Sequence, residues 1–323
     1  MNHAPANEAE VVGIVTAANA ANEPLLIQGR GTKAGMLRPV QAARSLSTRK
    51  LVGVSLYSPQ ELIVSAGAGM TIPDLEATLA GGGQGLIAEP PDLSALLGTE
   101  GPPTVGGVVA TNLSGPRRVA WGAMRDHVMG LRAVNGAGEV LRAGGRVLKN
   151  VTGLDMCKLL SGSHGTLAVI TEVTLKVLPR AERTGSLVLP GLDPVQAVAA
   201  LSAALGSPYG VSGAAWLPAD AADRVPALAG HGPVAVVRIE DFALSVGYRL
   251  GRLIDDLAPF AAAVRLDDDD SRAEWAAIRD AVPLRAEPGD AIWRVSVRPS
   301  NGPAVLAALE GAQMFLDWGG GLV

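Results

Sequence analysis

The sequence predicts an α+β protein of two domains, the first of short strands and glycine-rich loops, the second of alternating strands and helices. Three observations predict it. The 323 residues exceed what one ordinary core needs. The texture changes between about 180 and 186, just after Pro179. The 40 glycines follow no G-X-Y period, so they belong to turns and close backbone approaches rather than to collagen. With 48% apolar residues, 18% charged and a mean hydropathy of +0.27, the chain can bury a sizeable core, which a disordered chain cannot.

Taken in order, residues 24 to 29 (PLLIQG), 49 to 59 (RKLVGVSLYSP) and 61 to 69 (ELIVSAGAG) are apolar runs closed by Gly or Pro, which predicts three strands. Thr71-Ile72-Pro73-Asp74 has capping-box spacing with Pro just inside the start. Leu75 and Leu79 share a helical face, so a helix runs from there to Gly81-Gly82-Gly83. Positions 84 to 120, rich in Gly, Pro, Ser and Thr, read as a long loop, and one that long inside a compact domain is usually functional. From 127 to 143, HVMGLRAV and EVLRA flank an Asn-Gly turn, a hairpin signature. Positions 165 to 179 alternate, setting Leu167, Val169, Thr171, Val173, Leu175 and Val177 on one face of a long strand.

Beyond Pro179, 193 to 205 (DPVQAVAALSAAL) reads as a helix capped by Asp193, VSGAAWL and PVAVVRIE as strands, and 241 to 257 (DFALSVGYRLGRLIDDL) as an amphipathic helix. AIWRVSVRP, PAVLAALEG and AQMFLDW then repeat strand, helix, strand. The carboxylates Asp267, Asp268, Asp269 and Asp270 read as a solvated loop. No self-similar period of about 20 to 50 residues is present, so a repeat array is not expected.

Composition excludes several functions. Against 31 acidic residues stand 27 basic ones, a net charge of −4 with pI near 5.6, so there is no basic footprint for nucleic acid. Five Trp, three Tyr and three Phe are too few for a base-stacking platform. Cys157 has no partner for a disulfide, and with His3, His127, His164 and His231 scattered it forms no metal-ligand spacing; no metal is expected. No apolar run reaches the roughly 18 residues of a membrane helix, and Glu8 and Glu10 stand where a signal peptide would carry positive charge. The expected location is the cytoplasm, and the high hydropathy points to a surface partly covered by a partner.

Gly29-Arg30-Gly31-Thr32-Lys33-Ala34-Gly35 follows a predicted strand and matches G-x-G-x-x-A, the looser dinucleotide fingerprint. A Rossmann site also needs a helix opening at the loop and an acid about 20 positions on. Pro39 interrupts that helix, and 49 to 60 contain no Asp or Glu. Gly67-Ala68-Gly69-Met70-Thr71-Ile72 leads into a helix but lacks the third small residue. The first loop instead offers a nest of backbone N–H groups beside Arg30 and Lys33, suited to a pyrophosphate; a plain turn is the competing reading of this loop alone. Positions 104 to 115 (TVGGVVATNLSG) combine bare backbone with small hydroxyl and amide groups, the wall a large planar or phosphorylated ligand needs.

In order, QGRGTKAG, SAGAGMTIPDLEATLAGGGQGL, TVGGVVATNLSGPRR with GAMRDHVMGLRAV, and KNVTGLDMCKLLSGSHGTLAVITEVTLKVLP resemble the PCMH-type FAD-binding domain of vanillyl-alcohol-oxidase flavoproteins, over about 24 to 180. KNVTGLD with GSHGTLAVITEVTLKVLP, and the downstream WRVSV, are most similar to the smaller FAD-binding subunits of bacterial glycolate oxidases. The resemblance implies a two-subdomain FAD-binding domain over 1 to 182 and an α+β, ferredoxin-like cap over 183 to 323. FAD is the implied cofactor. Arg30, Gly31, Thr32, Lys33 and Gly35 become the first pyrophosphate loop, and Thr104, Val105, Gly106, Gly107, Asn112 and Gly115 run along the flavin. Gly122, Arg125 and Asp126 close that segment, while Gly165, Thr166, Val169 and Ile170 set backbone against the adenosine end. For Lys149, Asn150 and Asp155 an ordinary capped loop is the competing reading. Relatives with covalent FAD attach it through a His in the first loop, where this chain has Thr32 and Lys33, so the implied binding is non-covalent. Cys157, on a predicted helix, reads as a buried apolar residue. Such chains usually continue past an Asp-Trp-Gly-Gly stretch to an Asn-Pro-Gly motif; here 317 to 323 (DWGGGLV) ends the sequence, so the implied closing segment is missing, through truncation or loss.

Oxidising a 2-hydroxy acid needs a cation for the carboxylate, a base for the hydroxyl proton and a hydride path. His127, His164 and His231 are isolated, and a structural histidine is commoner than a catalytic one, so the catalytic residues stay unassigned. Arg294 and Arg298 stand four apart on a predicted strand, hence on one face, as candidate substrate residues that clamp a carboxylate; a surface ion pair is the competing reading. The resemblance implies a redox subunit of a glycolate-oxidising complex, acting with a larger FAD-binding subunit and passing electrons toward an iron–sulfur subunit. It further implies a cytoplasmic location or peripheral attachment to the inner membrane through that complex. The alternative is an assembly subunit without catalysis. A third reading, a reductase of peptidoglycan sugar-nucleotide synthesis, usually carries more basic and aromatic residues than this chain.

Overall fold

A computed structural model describes residues 2–145, 154–287, 289–309 and 311–323. The chain packs as two units, Met1–Ser114 with Ala123–Arg180, and Gly115–Gly122 with Ala181–Val323.

In the first unit, β1 (Asn2–His3), α1 (Glu8–Ala20), β2 (Leu25–Gln28) and β3 (Arg44–Ser47) form a parallel sheet in the order β1-β3-β2, with α1 as the crossover that parallel pairing requires. The run predicted at 49 to 59 divides. β4 (Val54–Ser58) takes only its second half, and β3 lies upstream at RSLS, where Leu46 alone is apolar and no alternation can be read. β5 (Ile63–Gly67) precedes α2 (Ile72–Ala80), where the Thr71 hydroxyl accepts from the Asp74 N–H at 3.2 Å and the helix stops at Gly81. Leu75 and Leu79 are fully buried beneath it, each contributing about 1.5–3 kcal/mol. After β6 (Gln84–Leu86), the stretch read as one long loop contains a helix, α3 (Val105–Thr111). Thr104 caps it, and Val105, Val108 and Val109 bury one face at helical spacing. The chain then passes through α4 (Arg118–Trp121), inside the segment that belongs to the second unit.

β7 (Val128–Asn135) and β8 (Val140–Gly144) form the hairpin, and α5 (Met156–Leu160) is capped by Asp155, whose carboxylate accepts from the Lys158 N–H at 3.0 Å. Cys157 is buried in α5, and burial, with Asp155 nearby, pushes its thiol up to about 11. β9 (Ala168–Pro179) completes an antiparallel sheet ordered β4-β5-β9-β7-β8, with β6 pairing the C-terminal end of β9. The single-face alternation expected for β9 is corrected by a bulge. Arg132 pairs with Glu172 and Ala133 with Ile170, so Thr171 is the extra residue and the phase inverts there. Ala168 and Ile170 therefore join Val173, Leu175 and Val177 in the main core, while Val169 packs with Val11, Val15 and Leu46 in a separate one.

In the second unit, β10 (Arg183–Pro190), α6 (Pro194–Gly206), β11 (Val211–Leu217), α7 (Ala219–Ala222), β12 (Val234–Asp241), α8 (Ala243–Leu257) and β13 (Val264–Leu266) follow in chain order. The strands pair antiparallel as β11-β12-β10-β13, the ferredoxin-like arrangement. Leu187, Trp216 and Val237 face α6 and α8, and Val188, Leu217 and Val236 face α9 (Asp268–Arg279) with its buried Trp275. The aspartate run is a helix start, not a loop. Asp267 caps α9 by accepting from the Asp270 N–H at 3.0 Å, and the next three acids suit the positive end of the helix dipole. AIWRVSVRP is not a sheet strand either. Val295 and Val323 exchange N–H···O bonds of 2.8 and 2.9 Å and the Val297 N–H reaches the Gly321 oxygen at 3.0 Å, a short ladder beside α10 (Gly302–Ala308).

Glu240 binds Gly115–Gly122 to this unit. It accepts from both Nε and Nη2 of Arg117 at 3.0 and 2.6 Å, a bidentate pair, and forms an ion pair with Arg238 at 3.2 Å. Burial alone would raise the Glu240 carboxyl, but Arg238, Arg117 and the Ser212 hydroxyl outweigh it and hold it at about 2.

Candidate functional site

The first unit carries a solvent-open groove with about 740 Å³ of empty space, walled by three segments. The first is the turn after β2. Gly31 sits at φ +80°, and the N–H groups of Ala34 and Met36 close onto the Gly31 and Lys33 oxygens at 3.0 and 3.1 Å. Among the described residues, the N–H groups of Arg30, Gly31, Thr32 and Lys33 meet no protein acceptor. Four consecutive unpaired donors form an anion-binding nest. The Lys33 ammonium donates to the Thr32 hydroxyl at 3.3 Å; burial lowers its pKa to about 8, partly offset by Asp92.

The second wall is the start of α3. The Thr104 hydroxyl accepts from the Gly107 N–H at 3.3 Å. A Cβ on Gly106 would lie 2.7 Å from the Ala68 Cβ, and one on Gly107 would stand 3.0 Å from the Thr104 hydroxyl and 3.6 Å from the Lys33 ammonium. At Gly106 the missing Cβ lets α3 pack against the buried Ala68, and at Gly107 it keeps the start of α3 clear of Thr104 and the tip of Lys33. The third wall is the turn before β9, where the His164 N–H binds the Ala110 oxygen at 2.8 Å and Gly165, at φ +74°, lies against Ile27. Burial lowers the His164 pKa, so the imidazole stays neutral near pH 7.

The groove thus brings together Arg30, Gly31, Thr32, Lys33, Thr104, Gly106, Gly107, Gly165 and Ile170. Gly35, Val105, Asn112, Arg125, Asp126 and Val169 do not line it. Val105 and Val169 point into cores, and the Asn112 amide oxygen ties α3 to the Arg125 N–H at 2.9 Å. Asp126 accepts from the Ala123 N–H at 2.9 Å, a capping role, and Gly115 lies in the second unit. Lys149 and Asn150 lie outside the described residues. Gln28, Thr48, Ala110, Thr111 and His164 line the groove without having been singled out as ligand residues. Helical spacing of the valines in α3 is the signal that would have found Ala110 and Thr111. Arg294 and Arg298 belong to the second unit and both are exposed; Arg294 stacks on Trp318, and Arg298 stands at the start of a short turn. Among the described residues no group of acids, histidines or cysteines has metal-site geometry, and no helix is long and apolar enough to cross a membrane.

Donors and a cation at one end, with a bare-backbone wall along the side, suit a dinucleotide with a pyrophosphate and a flat ring. Comparison with known proteins agrees. Residues 3–144 match the FAD binding domain family. The chain is 35% identical to glycolate oxidase subunit GlcE of Escherichia coli, over 93% of this chain and 75% of that one. It is 34% identical to a D-lactate dehydrogenase of Archaeoglobus fulgidus over 58% of this chain and 40% of that protein. Among solved structures, alkyldihydroxyacetonephosphate synthase superposes over 87% of this chain and 54% of its own, with TM-score 0.68 and 21% identity, a likeness of fold.

Proposed function

The chain belongs to the FAD-binding oxidoreductase family of the glycolate oxidase subunits, and on that premise we propose that it is the smaller FAD-binding subunit of a complex that oxidises glycolate or a related small 2-hydroxy acid. In this reading it works beside a larger FAD-binding subunit and passes electrons toward an iron–sulfur subunit. The observation that carries the reading is the nest of four unpaired N–H groups at 30 to 33, in the groove that the start of α3 at Gly107 also lines.

The residues fit FAD. Arg30, Gly31, Thr32 and Lys33 would hold its pyrophosphate, N–H groups and ammonium together neutralising the charge. Gly107 would let the ring or ribitol lie against backbone, and Gly165 with Ile170 would line the other end. No residue at 30 to 35 is a histidine or cysteine, so this loop offers no side chain for covalent attachment. When bound, the flavin supplies a two-electron acceptor for the hydride of a 2-hydroxy acid.

The test is to load the purified chain with FAD and add glycolate anaerobically, alone and with the other subunits of its complex. Bleaching of this chain's flavin supports a redox role. Flavin that stays oxidised here while the assembled complex turns over supports the assembly role instead. A complex that ignores glycolate but oxidises another acid moves the substrate assignment.

A further inference from the structure

We propose that Arg118, Trp318 and Arg294 of the second unit form a receptor for a small carboxylate, the class to which the substrate of the reading above belongs. The guanidinium carbons of Arg118 and Arg294 lie 4.5 and 4.7 Å from the centre of the same Trp318 ring. Among the described residues neither guanidinium makes an ion pair or a side-chain hydrogen bond, so both keep their full set of N–H donors. Among the described residues the acid that acts on Arg294 is the buried Asp317, one carboxylate beside two guanidiniums.

Two cations on one indole repel each other, and the fold holds them there by several devices. The Trp318 indole N–H donates to the Gly115 oxygen at 3.1 Å, fixing the ring to the segment that carries Arg118. The ladder of Val295 and Val297 with Val323 and Gly321 sets Arg294 beside the same ring. Trp318, Gly319 and Gly320 all have positive φ, at 55°, 67° and 102°, a backbone form that a tryptophan adopts only when its surroundings impose it. Burial and the charge of Arg118 lower the Arg294 pKa. An anion that takes donors from both guanidiniums relieves the repulsion, and a carboxylate matches their planar fork. In this proposal Arg294 acts with Arg118, far from it in sequence, rather than with Arg298.

This inference rests on the 2-hydroxy acid reading, and its test separates the two. The FAD-loaded full chain is titrated with oxalate, a two-carbon carboxylate that cannot be oxidised by hydride loss, following tryptophan fluorescence. Flavin absorbance is read in the same samples. The expected result is a saturable change, at least tenfold weaker in Arg118→Met and in Arg294→Met and unaltered in Arg298→Met, with bound flavin equal in all four proteins. Arg294→Lys, which keeps charge and bulk but loses the fork, should fall between wild type and Arg294→Met and guards against loss of fold in the methionine variants. No saturable change, or variants that bind oxalate as wild type does, overturns the receptor while flavin content stands. Equal competition by chloride and inorganic phosphate identifies a general anion site and overturns the assignment to carboxylates. Oxalate binding by a chain that takes up no FAD leaves the receptor standing and removes the redox reading.

Discussion

Lys33 places the pH dependence of cofactor binding within reach of measurement. Its ammonium loses its proton at about 8 in the free groove because burial disfavours the charge. Below that pH it can face a pyrophosphate as a cation, and above it the attraction fades. FAD affinity, followed by quenching of flavin fluorescence, is expected to weaken as pH rises from 7 to 9. Lys33→Met should bind roughly tenfold or more weakly at pH 7 and show a flat profile, because a hydrogen bond to a charged group is worth about 1.5–3 kcal/mol. The turn itself was legible, since glycines and cations after an apolar run say what a phosphate needs. His164 was not, because its role comes from a left-handed turn at φ 53° that brings it to the groove across a long stretch of sequence.

Caps were the most readable elements, and helices hidden in glycine-rich sequence the least. Asp193 accepts from the Val195 and Gln196 N–H groups, both at 2.9 Å, so Asp193→Ala is expected to cost about 1 kcal/mol in a denaturant titration. α3 escaped notice because its two glycines and flanking prolines mask a valine stripe. The bulge in β9 escaped because an extra residue leaves the composition of a strand unchanged while moving half its side chains to the other face. α9 adds a prediction of its own. Glu274 is fully buried, and burial raises its carboxyl to about 8 against the pull of Ser186 and Arg238. The unfolded chain ionises it near the usual 4.3, so between there and 8 the folded state binds the extra proton and stability falls as pH rises. Glu274→Gln should remove that fall, on the order of a few kcal/mol, and raise Tm at pH 8 more than at pH 5. A Tm difference independent of pH would contradict the assignment.

At the scale of the whole chain, the change of texture after Pro179 falls beside the division between the two units at Arg180 and Ala181, whereas the return of Gly115–Gly122 to the second unit has no sequence signal. That return depends on Arg117 meeting Glu240, residues more than a hundred positions apart whose pairing no local pattern announces. Arg117→Met leaves the buried Glu240 with fewer donors and should cost about 2 kcal/mol in chemical denaturation. Glu240, held at about 2, stabilises the fold at pH values above the usual carboxylate range, and that contribution is lost as acid protonates it. That the groove of the first unit holds FAD through the 30–33 turn is read directly in an FAD titration of the purified chain beside Arg30→Ala with Lys33→Met. Wild type is predicted to take up one FAD per chain and the double variant to lose it while keeping its circular dichroism. A wild-type chain that binds no FAD, or a folded double variant that binds it equally well, would contradict the account.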